Sequence, residues 1–240
     1  MKLTTHTVIG FPDLQTSEKI VNVLARNSDI VELQIPFSDP VADGKIIASA
    51  NAVAVRNKVT PQICLKFAKK ITKKFPQTRF YFMTYLNPIF RFGCVKFMKE
   101  AKEAGVKGFI IPDLPVEEAG EILHECKKND LGLIFVIAPN TPDARLKKIA
   151  KSASDWIYCV ARLGITGSQT SFGSELKKYL EKVRKFTKLP LGVGFGVKSK
   201  KDFQQIEKAG GEIGIVGSEL FRVFEKKGLK GLQEFFDGIK

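Results

Sequence analysis

Histidine and cysteine are scarce in this 240-residue chain, which has two of the first and four of the second. Cys64, Cys94, Cys126 and Cys159 lie about thirty residues apart, none forms a Cys-x-x-Cys pair, and His6 and His124 are remote from each other. That spacing argues against a zinc site or a disulfide framework, and for free thiols in a reducing compartment. Long apolar runs are also missing: no stretch approaches the roughly 18 to 20 uncharged apolar residues that a membrane span needs. The opening Met1-Lys2-Leu3-Thr4-Thr5-His6 leads straight into a strand-like run without the apolar core of a signal peptide, so the chain is read as cytoplasmic. Acidic residues are outnumbered, 25 against 39 Lys and Arg, for a net charge of +14. Such an excess can mark nucleic-acid binding. Here, however, the lysines fall in pairs such as Lys69-Lys70 and Lys177-Lys178 inside amphipathic stretches, the pattern of solvated helix faces. No zinc-finger spacing, helix-turn-helix turn or aromatic RNA-binding signature accompanies them, and a basic surface can equally speed encounter with an anionic substrate.

What the chain does have is an ordinary globular composition, 44% hydrophobic and 27% charged. Short apolar runs alternate with longer amphipathic stretches from end to end. Runs are read at 5–9, 30–35, 80–84, 108–111, 133–137, 156–160, 191–193 and 213–216. Helices follow at 16–25, 60–74, 95–104, 116–128, 143–152, 174–186, 201–209 and 218–236. Ser17 is the expected cap of the first helix, and Pro61 sits at a first-turn position. Eight strand–helix units with near-continuous apolar strands predict a closed (β/α)8 TIM barrel, with residues 1–240 as one domain. A doubly wound open sheet is the alternative, but Gly10-Phe11-Pro12 after the first strand is no dinucleotide fingerprint.

In such a barrel, active-site groups gather at the C-terminal ends of the strands. Gly192, Gly194 and Gly196 around strand seven, and Gly217-Ser218 after strand eight, predict an anion site of backbone N–H groups and a helix N-terminus, or else simple tight turns. The long loop 161–168, with glycine in both halves, suits either a mobile lid or a plain surface loop. Strand two is the most informative. Glu32 lies among Ile30, Val31, Leu33 and Ile35, where a charge is costly unless partnered or functional. It is either a structural ion-pair partner or a general acid/base. Asp39 before Pro40 reads as a turn former, whereas Asp43 before Gly44 either turns the chain or points into the site.

The run from Val31 to Gly44, Val-Glu-Leu-Gln-Ile-Pro-Phe-Ser-Asp-Pro-Val-Ala-Asp-Gly, resembles the signature of the tryptophan synthase α subunit family. The likeness extends through Gly10-Phe11-Pro12-Asp13, Met83-Thr84-Tyr85-Leu86-Asn87-Pro88, Ile111-Pro112-Asp113-Leu114-Pro115, Ala138-Pro139-Asn140-Thr141, Gly164-Ile165-Thr166-Gly167 and Gly194-Phe195-Gly196. It implies a carbon–carbon lyase of tryptophan biosynthesis that cleaves indole-3-glycerol phosphate into indole and glyceraldehyde 3-phosphate. It further implies that Glu32 is the general acid/base and that Asp43 accepts the indole N–H. Tyr158 would stand near Asp43, and Gly167, Phe195, Gly196, Gly217 and Ser218 would form the phosphate end. Met83 and Ile110 would line the indole slot, and Arg162 and Thr166 would belong to the lid. No cofactor is implied for this chain. The implied partner is a pyridoxal-phosphate β subunit, in an α2β2 assembly that receives the indole, and Asp39, Pro40, Asn87 and Asp113 would face it.

The chain departs from the family pattern at Gln34, where glycine is usual, and at Ala48, often glutamine. Its N-terminus is short, so a helix closing the barrel floor is expected to be missing or minimal. Two rivals stay open: another phosphate-binding barrel enzyme, which would share the glycines but not the segment 32–43, and a non-catalytic α-like subunit that only activates its β partner.

Overall fold

The structure is a computed structural model, and it describes residues 1–161, 174–194 and 196–239. The chain opens with β1 (Lys2–Val8), α1 (Leu14–Asn27) and β2 (Ile30–Gln34), then runs through two helices, α2 (Lys45–Arg56) and α3 (Pro61–Lys74), to β3 (Arg79–Met83). Two more helices, α4 (Leu86–Phe92) and α5 (Cys94–Glu103), precede β4 (Gly108–Ile110) and α6 (Gly120–Lys128). Next come β5 (Gly132–Ile134), β6 (Val136–Ile137), α7 (Asp143–Ser152), β7 (Ile157–Val160) and α8 (Ser174–Arg184). The chain finishes with β8 (Leu191–Gly194), α9 (Lys200–Lys208), β9 (Ile213–Val216) and α10 (Ser218–Ile239).

Every strand pairing is parallel, in the order β5-β4-β3-β2-β1-β9-β8-β7-β6. The two ends of that order are consecutive in the chain, separated only by Phe135, whose carbonyl accepts from Tyr158 N at 3.0 Å. The sheet therefore closes on itself as a barrel, and β5 and β6 are two halves of the expected fifth strand. Inside the barrel lie Ile30, Tyr81, Ile110, Ile134, Trp156, Ile213 and Ile215. A larger layer between strands and helices holds Val31, Leu33, Phe80, Phe82, Phe109 and their neighbours. Odd-even alternation along β2 follows: Val31 and Leu33 face the helices, which puts Ile30, Glu32 and Gln34 on the barrel side.

Several local expectations need correction. Ser17 does not cap α1: Thr16 N donates to Asp13 Oδ1 at 2.8 Å, while the buried Ser17 hydroxyl accepts from Gly10 N at 3.1 Å. Asp wins because its side chain sits one residue before the first helical turn and can meet the free N–H groups there. The helix of the fourth unit starts at Gly120 rather than at 116, because 116–118 form a turn. Two helices, α2 and α4, lie in stretches read as loops. In α2 the buried set Ile47, Ala50, Asn51 and Ala54 has helical spacing, but two alanines and an asparagine give little hydrophobic contrast. In α10 the backbone leaves helical geometry at Gly228, with φ of 62°, so it is two helices joined at a kink. Among the described residues no helix is long and apolar enough to cross a membrane.

Candidate active site at the C-terminal end of the barrel

A cleft of about 730 Å³, open solvent at its mouth included, lies at the C-terminal end of the strands. Glu32 and Asp43 line it together with Met83, Ile110 and Tyr158, and Gly196, Gly217 and Ser218 line it as well. Eight residues expected in the site on separate strands and loops thus meet at one place. Thr166, Gly167 and Phe195, with Arg162 of the expected lid, lie outside the described residues.

Glu32 is 1% exposed in the middle of β2. Taking a carboxylate out of water costs several kcal/mol unless partners compensate it. Its partner is His6, the Cα neighbour of Glu32 in the parallel register between β1 and β2. His6 Nδ1 lies 3.0 Å from Glu32 Oε2, while Glu32 Oε1 is buried with no hydrogen-bond partner. One oxygen is held, and the other has no hydrogen-bond partner among the described residues.

Asp43 follows a turn in which its N–H donates to the Pro40 carbonyl at 2.9 Å, so both functions left open for it hold: it shapes the loop and its side chain reaches the cleft. Its Oδ2 accepts from Gln34 Nε2 at 2.7 Å, Tyr85 OH at 3.1 Å and Asn51 Nδ2 at 3.4 Å. Burial pushes the Asp43 carboxyl above the usual aspartate range, against the charge of His6 and the bonds from Gln34 and Tyr85. Tyr158, on β7, is held well above the ordinary phenol range by burial and by the charges of Glu32 and Asp43, so it stands in the cleft as a neutral hydroxyl.

The glycines of β8 have a function other than the one expected. A Cβ at Gly194 would come 2.5 Å from Tyr158 OH, and one at Gly192 would come 2.6 Å from Trp156 Cζ3. Both clear space for aromatic side chains, Tyr158 on β7 and Trp156 just before it. Gly196, at φ of 96°, and Gly217 remain at the cleft wall, where α10 begins at Ser218 and presents its N-terminus. That end favours an anion, and Lys198 lines the same wall. Met83 and Ile110 give the opposite wall an apolar surface next to the barrel interior.

The residues expected to face a partner do not line the cleft. Asp39 and Asn87 are exposed and Pro40 is half-buried. Asp113 holds α4 in place, its two carboxylate oxygens accepting from Leu86 N at 3.0 and 3.2 Å. Sequence reasoning missed His6, Tyr85, Asn51 and Lys198, and read Gln34 as a departure beside the site rather than a member of it. A signal for His6 existed: Thr4, Thr5, His6 and Thr7 make β1 unusually polar for a strand that is wholly buried there. Among the described residues no group of three or more His, Cys, Asp or Glu is arranged to hold a metal ion.

Comparisons with known proteins agree with this arrangement. The family model described as tryptophan synthase alpha chain matches residues 1–235. The tryptophan synthase alpha chain of Syntrophotalea carbinolica is 41% identical over 99% of this chain and 94% of its own length. That of Methanocaldococcus jannaschii is 44% identical over 90% of this chain and 77% of its own. Among solved structures, Mycobacterium tuberculosis tryptophan synthase superposes with a TM-score of 0.92 at 29% identity, covering 99% of this chain and 90% of that one. A tryptophan synthase complex from Pyrococcus furiosus superposes with a TM-score of 0.89 at 31% identity, covering 99% and 97%.

Proposed function

The chain belongs to the tryptophan synthase alpha chain family, and from that premise we propose that Glu32 and Asp43 carry its cleavage of indole-3-glycerol phosphate. The reaction breaks the bond between the indole ring carbon and the hydroxyl-bearing carbon of the side chain. The hydroxyl loses its proton and becomes the aldehyde of glyceraldehyde 3-phosphate, and the ring carbon gains a proton and leaves as indole. Atoms balance with one proton moved, so one carboxyl group alternating as base and acid suffices.

The observation that supports the assignment most is the unpartnered Oε1 of Glu32, buried in β2 with its side chain on the same cleft as Asp43. Protonating the ring carbon places positive charge on the ring nitrogen, and Asp43 accepts that N–H and offsets the charge. Met83 and Ile110 take the flat apolar ring between them and the carboxylates. The phosphate goes to Gly217, Ser218 and the start of α10, with Gly196 and Lys198 beside it, and the family resemblance assigns Gly167 and Phe195 to the same ligand group. Tyr158 supplies a neutral hydroxyl near both carboxylates.

This retro-aldol split needs a proton donor at the ring carbon rather than an electron sink, so the chain's own part requires no cofactor. Its partner is the tryptophan synthase β subunit in an α2β2 assembly, where pyridoxal phosphate belongs and to which the indole passes. Asp39, Pro40 and Asp113, in loops, and Asn87, in the first turn of α4, are assigned to that contact. The barrel acts as one catalytic domain over 1–240. Its four free cysteines suit the cytoplasm.

The test is indole release from indole-3-glycerol phosphate by the purified chain with and without the β subunit. The reading expects release by the unaltered chain and a loss of roughly 10²-fold or more in Glu32→Gln, which keeps the side chain's shape but not its proton chemistry. Near-normal turnover in Glu32→Gln would show that the assignment is wrong.

A further inference from the structure

His6 is a buried titratable group, 3% exposed, that the cleavage chemistry above leaves unused. Both of its ring nitrogens are engaged, Nδ1 at 3.0 Å from Glu32 Oε2 and Nε2 at 2.9 Å from Gln34 Oε1. The directions of these bonds are constrained from the far end. Asp43 Oδ2 accepts from Gln34, Tyr85 and Asn51 together, so Gln34 turns its amide N–H toward Asp43 and its carbonyl toward His6. An amide carbonyl can only accept, and His6 Nε2 must therefore carry a hydrogen. Only Nδ1 then faces Glu32. One proton has to lie between Nδ1 and Oε2, because two would clash and none would leave opposing lone pairs at 3.0 Å.

We infer that His6 is a positioning residue for the cleavage: Gln34 locks it with hydrogen on Nε2, and it holds Glu32 Oε2 through one shared proton, leaving Oε1 to meet the substrate. This rests on the assignment of Glu32 as the acid/base. With the shared proton on Nδ1, Glu32 is a carboxylate whose Oε1 accepts the substrate hydroxyl proton and then delivers it to the ring carbon. His6 keeps its own proton throughout and fixes the direction in which Oε1 points. Because Gln34 touches both His6 and Asp43, the same chain of bonds sets the spacing of the two carboxylates. A glycine at position 34, the residue usual in the resembling family, could make neither bond.

The surroundings favour the charged imidazole. Burial draws His6 down, but the bond to Glu32 and the charges of Glu32 and Asp43 outweigh it and raise His6 above its ordinary value. Tyr158, from β7, lines the same cleft as a neutral hydroxyl. From α10 His6 meets the Phe221 ring at 6.0 Å, and Glu219, also on that helix and on the cleft, is bound to Arg222 at 3.0 Å. Lys198, the cation on the cleft wall, is solvent-exposed.

Nitrogen-15 NMR of the histidine-labelled full chain tests this without any substitution, since the only other histidine is His124, whose side chain is 76% exposed and serves as the reference. The expected spectrum shows His6 Nε2 bonded to hydrogen at every pH and His6 titrating above the ordinary imidazole range. In Glu32→Gln, His6 should become neutral near pH 7 with hydrogen still on Nε2, and in Gln34→Leu the second tautomer should appear. His6→Phe should lower kcat on the order of 10-fold to 10²-fold with KM for indole-3-glycerol phosphate little changed, and should move the pH profile of kcat. A bare Nε2, or a His6 signal that ignores Glu32→Gln, would overturn the inference. If Glu32→Gln abolishes cleavage while His6 ignores it, only the positioning role fails. If Glu32→Gln still turns over normally, the acid/base assignment itself fails.

Discussion

Asp43 is 8% exposed and takes three donors on one oxygen, yet burial still leaves its carboxyl titrating above the ordinary range. Its sign in stability follows from linkage. A carboxyl whose folded value lies above its unfolded one is stabilising when protonated, and the fold loses stability as pH rises from the unfolded value through the raised folded one. Asp43→Asn removes that loss while retaining an acceptor oxygen. Relative to the unaltered chain, its melting temperature should therefore improve progressively from pH 4 toward pH 7, while indole release falls. A constant difference between the two proteins across that range would contradict the assigned cost of charge. His6 carries linkage of the same sign. Its folded value is raised, so its stabilising contribution is full below the ordinary histidine range and disappears as pH climbs through the raised value. At this scale the sequence was readable for Glu32 and Asp43, where a charge interrupts or follows an apolar strand. It was unreadable for His6 and Gln34, because which side chains share a barrel layer depends on the register between β1 and β2 rather than on either strand alone.

Among the elements, strands were easier to read than helices. The run 213–216 and the helix 143–152 match their observed bounds, because sharp contrast in hydrophobicity marks them. The two missed helices share a cause: their buried faces are small, polar or short, and their ends are set by contacts from elsewhere. The N-terminus of α4 is satisfied by Asp113, 27 positions along the chain. Helix caps are typically worth about 1 kcal/mol. Asp113→Ala should accordingly lower the melting temperature by roughly 2 to 4 °C, the shift expected for that energy in a domain of this size, and Asp113→Asn by less. A melting curve unchanged by Asp113→Ala would mean that the cap is dispensable. At β8 the legible feature was glycine and the illegible one was its use. Gly194→Ala should displace Tyr158, whose hydroxyl lies 2.5 Å from the added methyl, and should depress cleavage without touching either carboxylate. A Gly194→Ala enzyme with full activity would show that Tyr158 can move freely.

For the whole molecule, the barrel brings the N-terminus of α10, the apolar slot and the two carboxylates around one cleft from elements as distant as β2 and α10. The closure itself was legible from the count of alternating runs, and the interruption at Phe135 was not, because a one-residue break leaves the apolar pattern intact. The net charge of +14 is spread over helix faces and makes the molecule attractive to a phosphorylated substrate at long range. The Debye length falls from about 30 Å at 0.01 M ionic strength to about 8 Å at 0.15 M. Over that range kcat/KM for indole-3-glycerol phosphate should fall several-fold if encounter limits it, with kcat unchanged. A salt-independent kcat/KM would assign the lysines to solubility alone. The geometry of the cleft as a whole is tested most directly by a crystal structure of the chain with the unreactive propanol phosphate analogue of its substrate. The expected complex has the indole N–H on Asp43, the ring against Met83 and Ile110, the phosphate at Gly217 and Ser218, and Glu32 Oε1 facing the ring carbon. A ring nitrogen turned away from Asp43, or a phosphate bound anywhere but the start of α10, would contradict it.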